Sequence, residues 1–348
     1  MQLNCHHSSM RTISALVLLV GIALHLLQRG RQPSAPPAFK PVTDGLYSLI
    51  QRCQPLPFLP GVPIAVYLVR EGSSWALVDA GVPAHAGQLV EALRVTLPPN
   101  DTLAAIILTH SHPDHVGALP QLLQAYPHVP VVAHEGEAPF LTGEKHYSPP
   151  SGLGARVARW AGVAPETPLQ VPRERLHLLE EPLMDFSSYG LEELVYIVTP
   201  GHTPGHISLL HSASHTLLAG DALSFIRPSL RRARDSDARD TRVVGTLAGL
   251  TLRAEPLTLC LKPSCDRAKA DTSFCMLADG MQYDNLLASH DWAGGGRGGW
   301  TQAALQAVAA SMPRCQELSK LAAEGSPDGD AHAEYEVEEQ EEEEDEYE

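Results

Sequence analysis

"LTHSHPDHVG", residues 108–117, sets three histidines and an aspartate between His110 and His115, directly behind the apolar run "TLAAIILT" (102–109). Such a run is short, β-branched and apolar throughout, which reads as a strand buried on both faces. Imidazole nitrogens and carboxylate oxygens bind zinc-like ions at about 2.0–2.2 Å. On extended chain, residues two apart point the same way, so His110 and His112 can grip one ion. Beyond Pro113 the chain must turn, which sends Asp114 and His115 toward a second ion. A helix starting near Val116 would aim its N-terminus at this place, where the helix dipole favours negative charge.

One cluster is not a site, and the neighbouring pattern supplies more strand ends. "AVYLVREGSSWALVDAGVP" (65–83) reads as two β-runs around a Gly-Ser turn, hence a hairpin. "AHAGQLVEALRVTL" (84–97) has helical spacing, and "GALPQLLQAY" (117–126) reads as a helix with Pro120 in its first turns. "VPVVAH" (129–134) is a further strand, whereas residues 140–182 are rich in Pro and Gly and read as a loop or cap. "ELVYIVTPGH", "HISLLHS" and "HTLLAGDAL" form three more strands, antiparallel because the turns between them are short. "NLLASHDW" is a late strand and "TQAALQAVAASM" a helix. Three of these runs end in a metal-capable residue: His202, Asp221 and His290. Strands and helices in this order suggest sheets inside and helices outside.

"THSHPDH", "TPGHTPGHI" and "AGDAL", with "LVDAG" upstream, resemble the metallo-β-lactamase superfamily over Pro41 to Trp292. The resemblance implies a four-layer αββα sandwich of the α/β class with a two-metal site. It implies that His110, His112 and His202 hold the first metal, and Asp114, His115 and His290 the second, with Asp221 bridging. The metal would be zinc, with iron or manganese possible alternatives. It places Asp79 as a support behind the ligands; His206 is read as a hydrogen-bonding neighbour. His134 and His146 have structural readings, and His211 and His215 look like surface residues of a hairpin. Two ions about 3.5–4 Å apart lower the pKa of a bridging water to about 7, giving hydroxide at neutral pH. That metal-bridged hydroxide would attack a carbonyl, with Asp114 orienting it and passing its proton on as the catalytic residue. "TPGHTPGHI" is similar to the glyoxalase II-type thioesterases, but no C-terminal basic pair matches their glutathione clamp. "SHD" at His290-Asp291 is similar to the quorum-signal lactonases. No Gly-x-Ser-x-Gly nucleophile is present. The expected activity is hydrolysis of an ester-like bond, an acyl thioester or lactone, in a small-molecule substrate. A di-iron redox member of the superfamily and a non-catalytic, membrane-tethered protein of the same fold stay open as alternatives.

The chain has 348 residues, 44% of them hydrophobic, enough for a sizeable core. Of its formal net charge of −16, 13 acids without one Lys or Arg lie between Asp328 and Glu348, leaving −3 on the rest. That near-neutral body excludes a nucleic-acid footprint. The basic run "RPSLRRAR" (Arg227, Arg231, Arg232, Arg234) reads as a solvated loop. Six cysteines include no Cys-x-x-Cys pair; Cys260, Cys265 and Cys275 match no zinc spacing and read as buried or paired. "TISALVLLVGIALHLL" (Thr12 to Leu27) is flanked by Arg11, Arg29 and Arg31 and reads as an uncleaved membrane anchor. The expected organisation is therefore 1–34 as an anchor or signal segment, 35–312 as the hydrolase domain and 313–348 as an acidic disordered tail. The expected location is membrane-anchored or in the secretory pathway, with organelle targeting possible; oligomeric state is left open.

Overall fold

The structure, a computed structural model, describes residues 37–53, 62–146, 169–224, 227–229, 242–247, 250–254, 265–291 and 300–324. The first sheet has seven strands in chain order: β1 (Lys40–Thr43), β2 (Leu46–Cys53), β3 (Val62–Glu71), β4 (Ser74–Val78), β5 (Thr102–Ile107), β6 (Val131–His134) and β7 (Leu176–Leu179). Strands β1 to β4 pair antiparallel, and β4 to β7 parallel. Helix α1 (Ala86–Thr96) makes the crossover from β4 to β5; α2 (Pro113–Val116) and α3 (Leu119–Ala125) lie between β5 and β6, and α4 (Ala138–Leu141) follows β6.

The second sheet is built from β8 (Leu183–Phe186), β9 (Leu191–Val198), β10 (Ile207–His211), β11 (Thr216–Leu218) and, after a further three-stranded sheet of β12 (Arg227–Ser229), β13 (Arg242–Leu247) and β14 (Leu250–Ala254), a late strand β15 (Asn285–Leu287). Its order is β15-β11-β10-β9-β8, antiparallel except for the parallel β11–β15 pair. Helix α5 (Arg267–Asp279) precedes β15, and α6 (Gln302–Ala309) and α7 (Pro313–Glu324) follow it.

The period-2 alternation of β3 sorts its side chains into two cores. Val66 and Leu68 face outward to Leu89 and Leu93 of α1 and Leu119 and Leu122 of α3. Ala65, Tyr67 and Val69 face inward to Leu194, Tyr196, Ile207 and Leu209 of the second sheet. A third apolar layer packs Leu217 and Leu286 against Phe274 and Leu277 of α5 and Leu305 of α6. Three cores between four layers make an αββα sandwich, as the sequence pattern implied.

Four expectations are revised. Part of the stretch read as a loop is ordered: Leu176–Leu179 joins the first sheet as its edge strand, because its backbone pairs with β6; residues 147–168 lie outside the described residues. The helix after the histidine cluster begins at Pro113 rather than near Val116, since proline suits a first helical position. Part of the stretch expected as a disordered tail is structured: Pro313–Glu324 is helical, and a Cys275–Cys315 disulfide ties it to α5. Cys265 is disulfide-bonded as well. The transmembrane, signal-anchor reading is corrected too. No helix among the described residues is long and apolar enough to cross a membrane, the longest having 13 residues against the roughly 20 required. Residues 12–27, on which that reading rested, lie outside the described residues, as do Arg231, Arg232 and Arg234, Cys260 and the acidic residues beyond 324.

Candidate metal centre

All seven expected ligands follow strand ends at one edge of the sandwich. His110 and His112 follow β5, with Asp114 and His115 in α2; His202 lies in the loop from β9 to β10; Asp221 follows β11; His290 follows β15. Backbone bonds stitch the edge together: Ile207 N–H donates to Thr109 O at 2.9 Å across the two sheets, and Ser289 N–H to Gly220 O at 3.2 Å. The neighbour His202 approaches because Gly201 (φ 127°) lies flush on the first turn of α5, where a Cβ would come within 2.1 Å of Ala270 N.

The structure brings the seven side chains together. His112 Nδ1 lies 3.1 Å from His110 Nε2 and 2.9 Å from His202 Nε2. Asp221 Oδ2 lies 3.3 Å from His290 Nε2, 3.4 Å from His202 Nε2, 3.5 Å from His115 Nε2 and 3.9 Å from His110 Nε2. Asp114 Oδ2 is 3.4 Å from His290 Nε2 and 4.0 Å from His115 Nε2. These contacts fall into three groups, His110/His112/His202, His110/His115/Asp221 and Asp114/His115/His290, each with donor atoms within 4.8 Å of one another.

The imidazoles are aimed from behind. His115 Nδ1–H donates to Asp79 Oδ2 at 2.8 Å, and His290 Nδ1–H to Pro63 O at 3.0 Å. Thr109 Oγ1 donates to Asp79 and accepts from His110 Nδ1–H at 3.1 Å. In all three rings the outer nitrogen is the one held by its partner, which turns Nε2 toward the centre. His206 is not among the grouped donors. Its Nδ1–H donates to Thr199 Oγ1 at 2.8 Å and its Nε2 accepts from Asp221 N–H at 3.0 Å, so both nitrogens are used.

Burial pushes His110 and His206 well below the ordinary imidazole range and His112 down to about 3, with neighbouring histidines adding to the effect. Burial would do the same to His115 and His290, but nearby carboxylates, Asp221 foremost, outweigh it; His290 rises to about 10. Asp114 and Asp221 are lowered despite burial, held by His115 and His290. Two rings therefore hold protons that an ion would displace, and two carboxylates stay charged.

The donor set fits divalent ions. Imidazole nitrogens crowded to 2.9–3.1 Å share no more than one proton per pair. Asp221 Oδ1 and His115 Nε2 are buried and make no hydrogen bond among the described residues, a cost of about 1–3 kcal/mol each unless another partner satisfies them.

One expectation outside the ligands is revised, and one residue was missed. His211, read as a surface residue, is buried; its Nδ1 pairs with Ser214 Oγ at 2.7 Å, beneath the left-handed His215 that makes the hairpin turn. Glu137, fully buried beside the ligand loops, was not singled out by the sequence pattern. The signal was present, since "VPVVAHEGE" puts it just beyond a strand end, as with His202, Asp221 and His290.

A family model described as "Metallo-beta-lactamase superfamily" matches residues 59–250. The chain is 38% identical over 160 residues to the Bacillus subtilis (strain 168) protein named "Probable metallo-hydrolase YflN", covering 45% of this chain and 59% of that one. It is 33% identical over 123 residues to a "Hydroxyacylglutathione hydrolase" of Vibrio parahaemolyticus, covering 35% and 34%. The chain thus spans less than two thirds of the length of these relatives. The solved mono-zinc form of the metallo-beta-lactamase FIM-1 from Pseudomonas aeruginosa aligns at 17% identity with a TM-score of 0.46, covering 83% of this chain and 98% of that one.

Proposed function

Because the chain belongs to the metallo-beta-lactamase superfamily, we propose that it is a metal-dependent hydrolase with two zinc ions that cleaves an ester-like bond, an acyl thioester or a lactone, in a small molecule. The observation that carries the reading is Asp221, whose Oδ2 stands within 3.3–3.9 Å of imidazole nitrogens from four different ligand histidines. A carboxylate so surrounded is suited to bridge two cations. His110, His112 and His202 would hold one ion, and Asp114, His115 and His290 the other. Iron or manganese would fit the same oxygen and nitrogen donors.

Bound there, a pair of divalent ions supplies Lewis acidity and lowers the pKa of a coordinated water. The chain's own residues do the rest. Asp114 is the more open of the two carboxylates, its side chain 24% exposed against 3% for Asp221. Kept ionised, it can accept a proton from water on the open side and return it to a leaving thiolate or alkoxide. Asp79, Thr109 and Pro63 O hold three imidazoles in one tautomer, so the donors need no reorganisation as the reaction proceeds. The thioester class is supported by the 33% identity to the hydroxyacylglutathione hydrolase over 123 residues.

The test is metal analysis of the purified chain, then hydrolysis of acyl thioesters, lactones, β-lactams and phosphodiesters with and without a chelator. The expected result is two metal equivalents and chelator-sensitive turnover of a thioester or lactone. His110→Ala should lose metal and at least about 100-fold in rate. Full metal content and activity in that variant would refute the assignment.

A further inference from the structure

Glu137 is a fully buried carboxylate that no ligand group contains. It closes a 3-10 turn, Glu135–Glu137, at the end of β6. Its Oε2 accepts from Ser111 N–H at 2.9 Å and from the Ser111 hydroxyl; its Oε1 accepts from Gly205 N–H at 2.8 Å. Ser111 sits between His110 and His112, and Gly205 lies in the loop that carries His202 and His206. The two loops touching Glu137 are therefore the ones that supply the three-histidine group. Contact with the second loop is close: a Cβ on Gly205 would lie 2.9 Å from Glu137 N and 3.0 Å from Glu137 Cγ.

Resting on the two-ion reading above, we infer that Glu137 is a positioning residue that sets the spacing of His110, His112 and His202 by clasping their two loops. Only a carboxylate suits the place. Ser111 N–H and Gly205 N–H can only donate, and its two oxygens accept from both loops at once. A glutamine of the same shape has one acceptor oxygen, so its NH2 would face either Ser111 N–H or Gly205 N–H, donor against donor. One loop would then be released while the packing volume is kept.

The experiment compares the full chain with Glu137→Gln and Ser111→Ala, using Zn²⁺ and Co²⁺ alone as probes. Zinc dissociation constants come from competition with a chromophoric chelator, the cobalt ligand-field spectrum reports donor geometry, and circular dichroism of metal-free protein reports folding. Glu137→Gln should stay folded, weaken one zinc equivalent by about 10- to 100-fold, as for loss of a partner behind the ligands, and change the cobalt spectrum. Ser111→Ala, which removes the hydroxyl contact and leaves the backbone bonds, should weaken the same equivalent by a smaller factor. A folded Glu137→Gln chain with wild-type zinc affinity and cobalt spectrum overturns the inference and leaves the functional reading standing. If Glu137→Gln does not fold, Ser111→Ala decides, and unchanged affinity and spectrum there overturn it. A wild-type chain that takes up no metal overturns the functional reading and this inference with it.

Discussion

Asp79 holds a left-handed backbone, φ 63°, which a residue with a Cβ adopts at a cost of about 1–2 kcal/mol. What sustains it is the set of donors it gathers: Thr109 N–H at 2.8 Å, the Thr109 hydroxyl and His115 Nδ1–H at 2.8 Å. Asp79→Asn keeps the shape and loses the charge and one acceptor, so zinc affinity should fall by about 10- to 100-fold; an unchanged dissociation constant in chelator competition would refute this. The histidines also set a pH signature for metal-free protein. His115 and His290 are raised in the fold, His290 to about 10, so their contribution is full below pH 6.5 and is lost as pH climbs from there through the raised value, about 10 for His290. His110, His112 and His206 are lowered, so their neutral forms oppose acidification below pH 6.5, down to about 3 for His112. Asp114 and Asp221, also lowered, lose their contribution as pH falls below the ordinary carboxylate range near 3.8. Chelator-treated protein should thus melt highest near pH 6.5 and lower on either side, while zinc-loaded protein should keep its melting temperature toward pH 9. Equal alkaline profiles for the two forms would contradict the assigned protonation.

At the scale of elements, β3 does more than fill two cores. It grips the segment before the last ligand through three bonds: Ala65 N–H to Ser289 O at 2.9 Å, Tyr67 O–H to Ala288 O at 3.0 Å and His290 Nδ1–H to Pro63 O. Burial, with Asp291 and Asp79 nearby, keeps the Tyr67 phenol protonated and so a donor. Tyr67→Phe should leave Ala288 O without this bond and lower stability by about 1–3 kcal/mol, with looser zinc binding. Denaturant melts check the first and chelator competition the second; wild-type values in both would show that β3 does not hold the segment. Strand identity was largely legible here, because apolar runs bounded by Gly, Pro and Ser leave few alternatives. The β7 strand was not legible: "LHLL" has partly exposed residues and gains its status from pairing with β6.

For the whole molecule, the last described element is α7, joined to α5 by the Cys275–Cys315 disulfide across a separation of 40 residues. Leu318 packs against the outer core that holds Phe274 and Leu277. Cys315→Ser should lower unfolding stability by about 2–4 kcal/mol through the chain entropy regained on unfolding. Zinc content should not change, because the bridge lies on the helical layer behind the second sheet. Denaturant titration with metal analysis checks both, and loss of metal in the folded variant would show that this layer governs the site.

The sequence by itself determined which residues are ligand-capable and that each stands where an apolar run stops, since hydrophobic periodicity and residue chemistry are local properties. It also determined the layered class, through the order of those runs. Only the tertiary structure decided that four separated strand ends meet at one edge, that His206 spends both nitrogens on hydrogen bonds, and that Glu137 joins two ligand loops. Those facts depend on contacts between residues 7 to 227 positions apart. No local pattern encodes such contacts; they form only when two sheets close over a shared core.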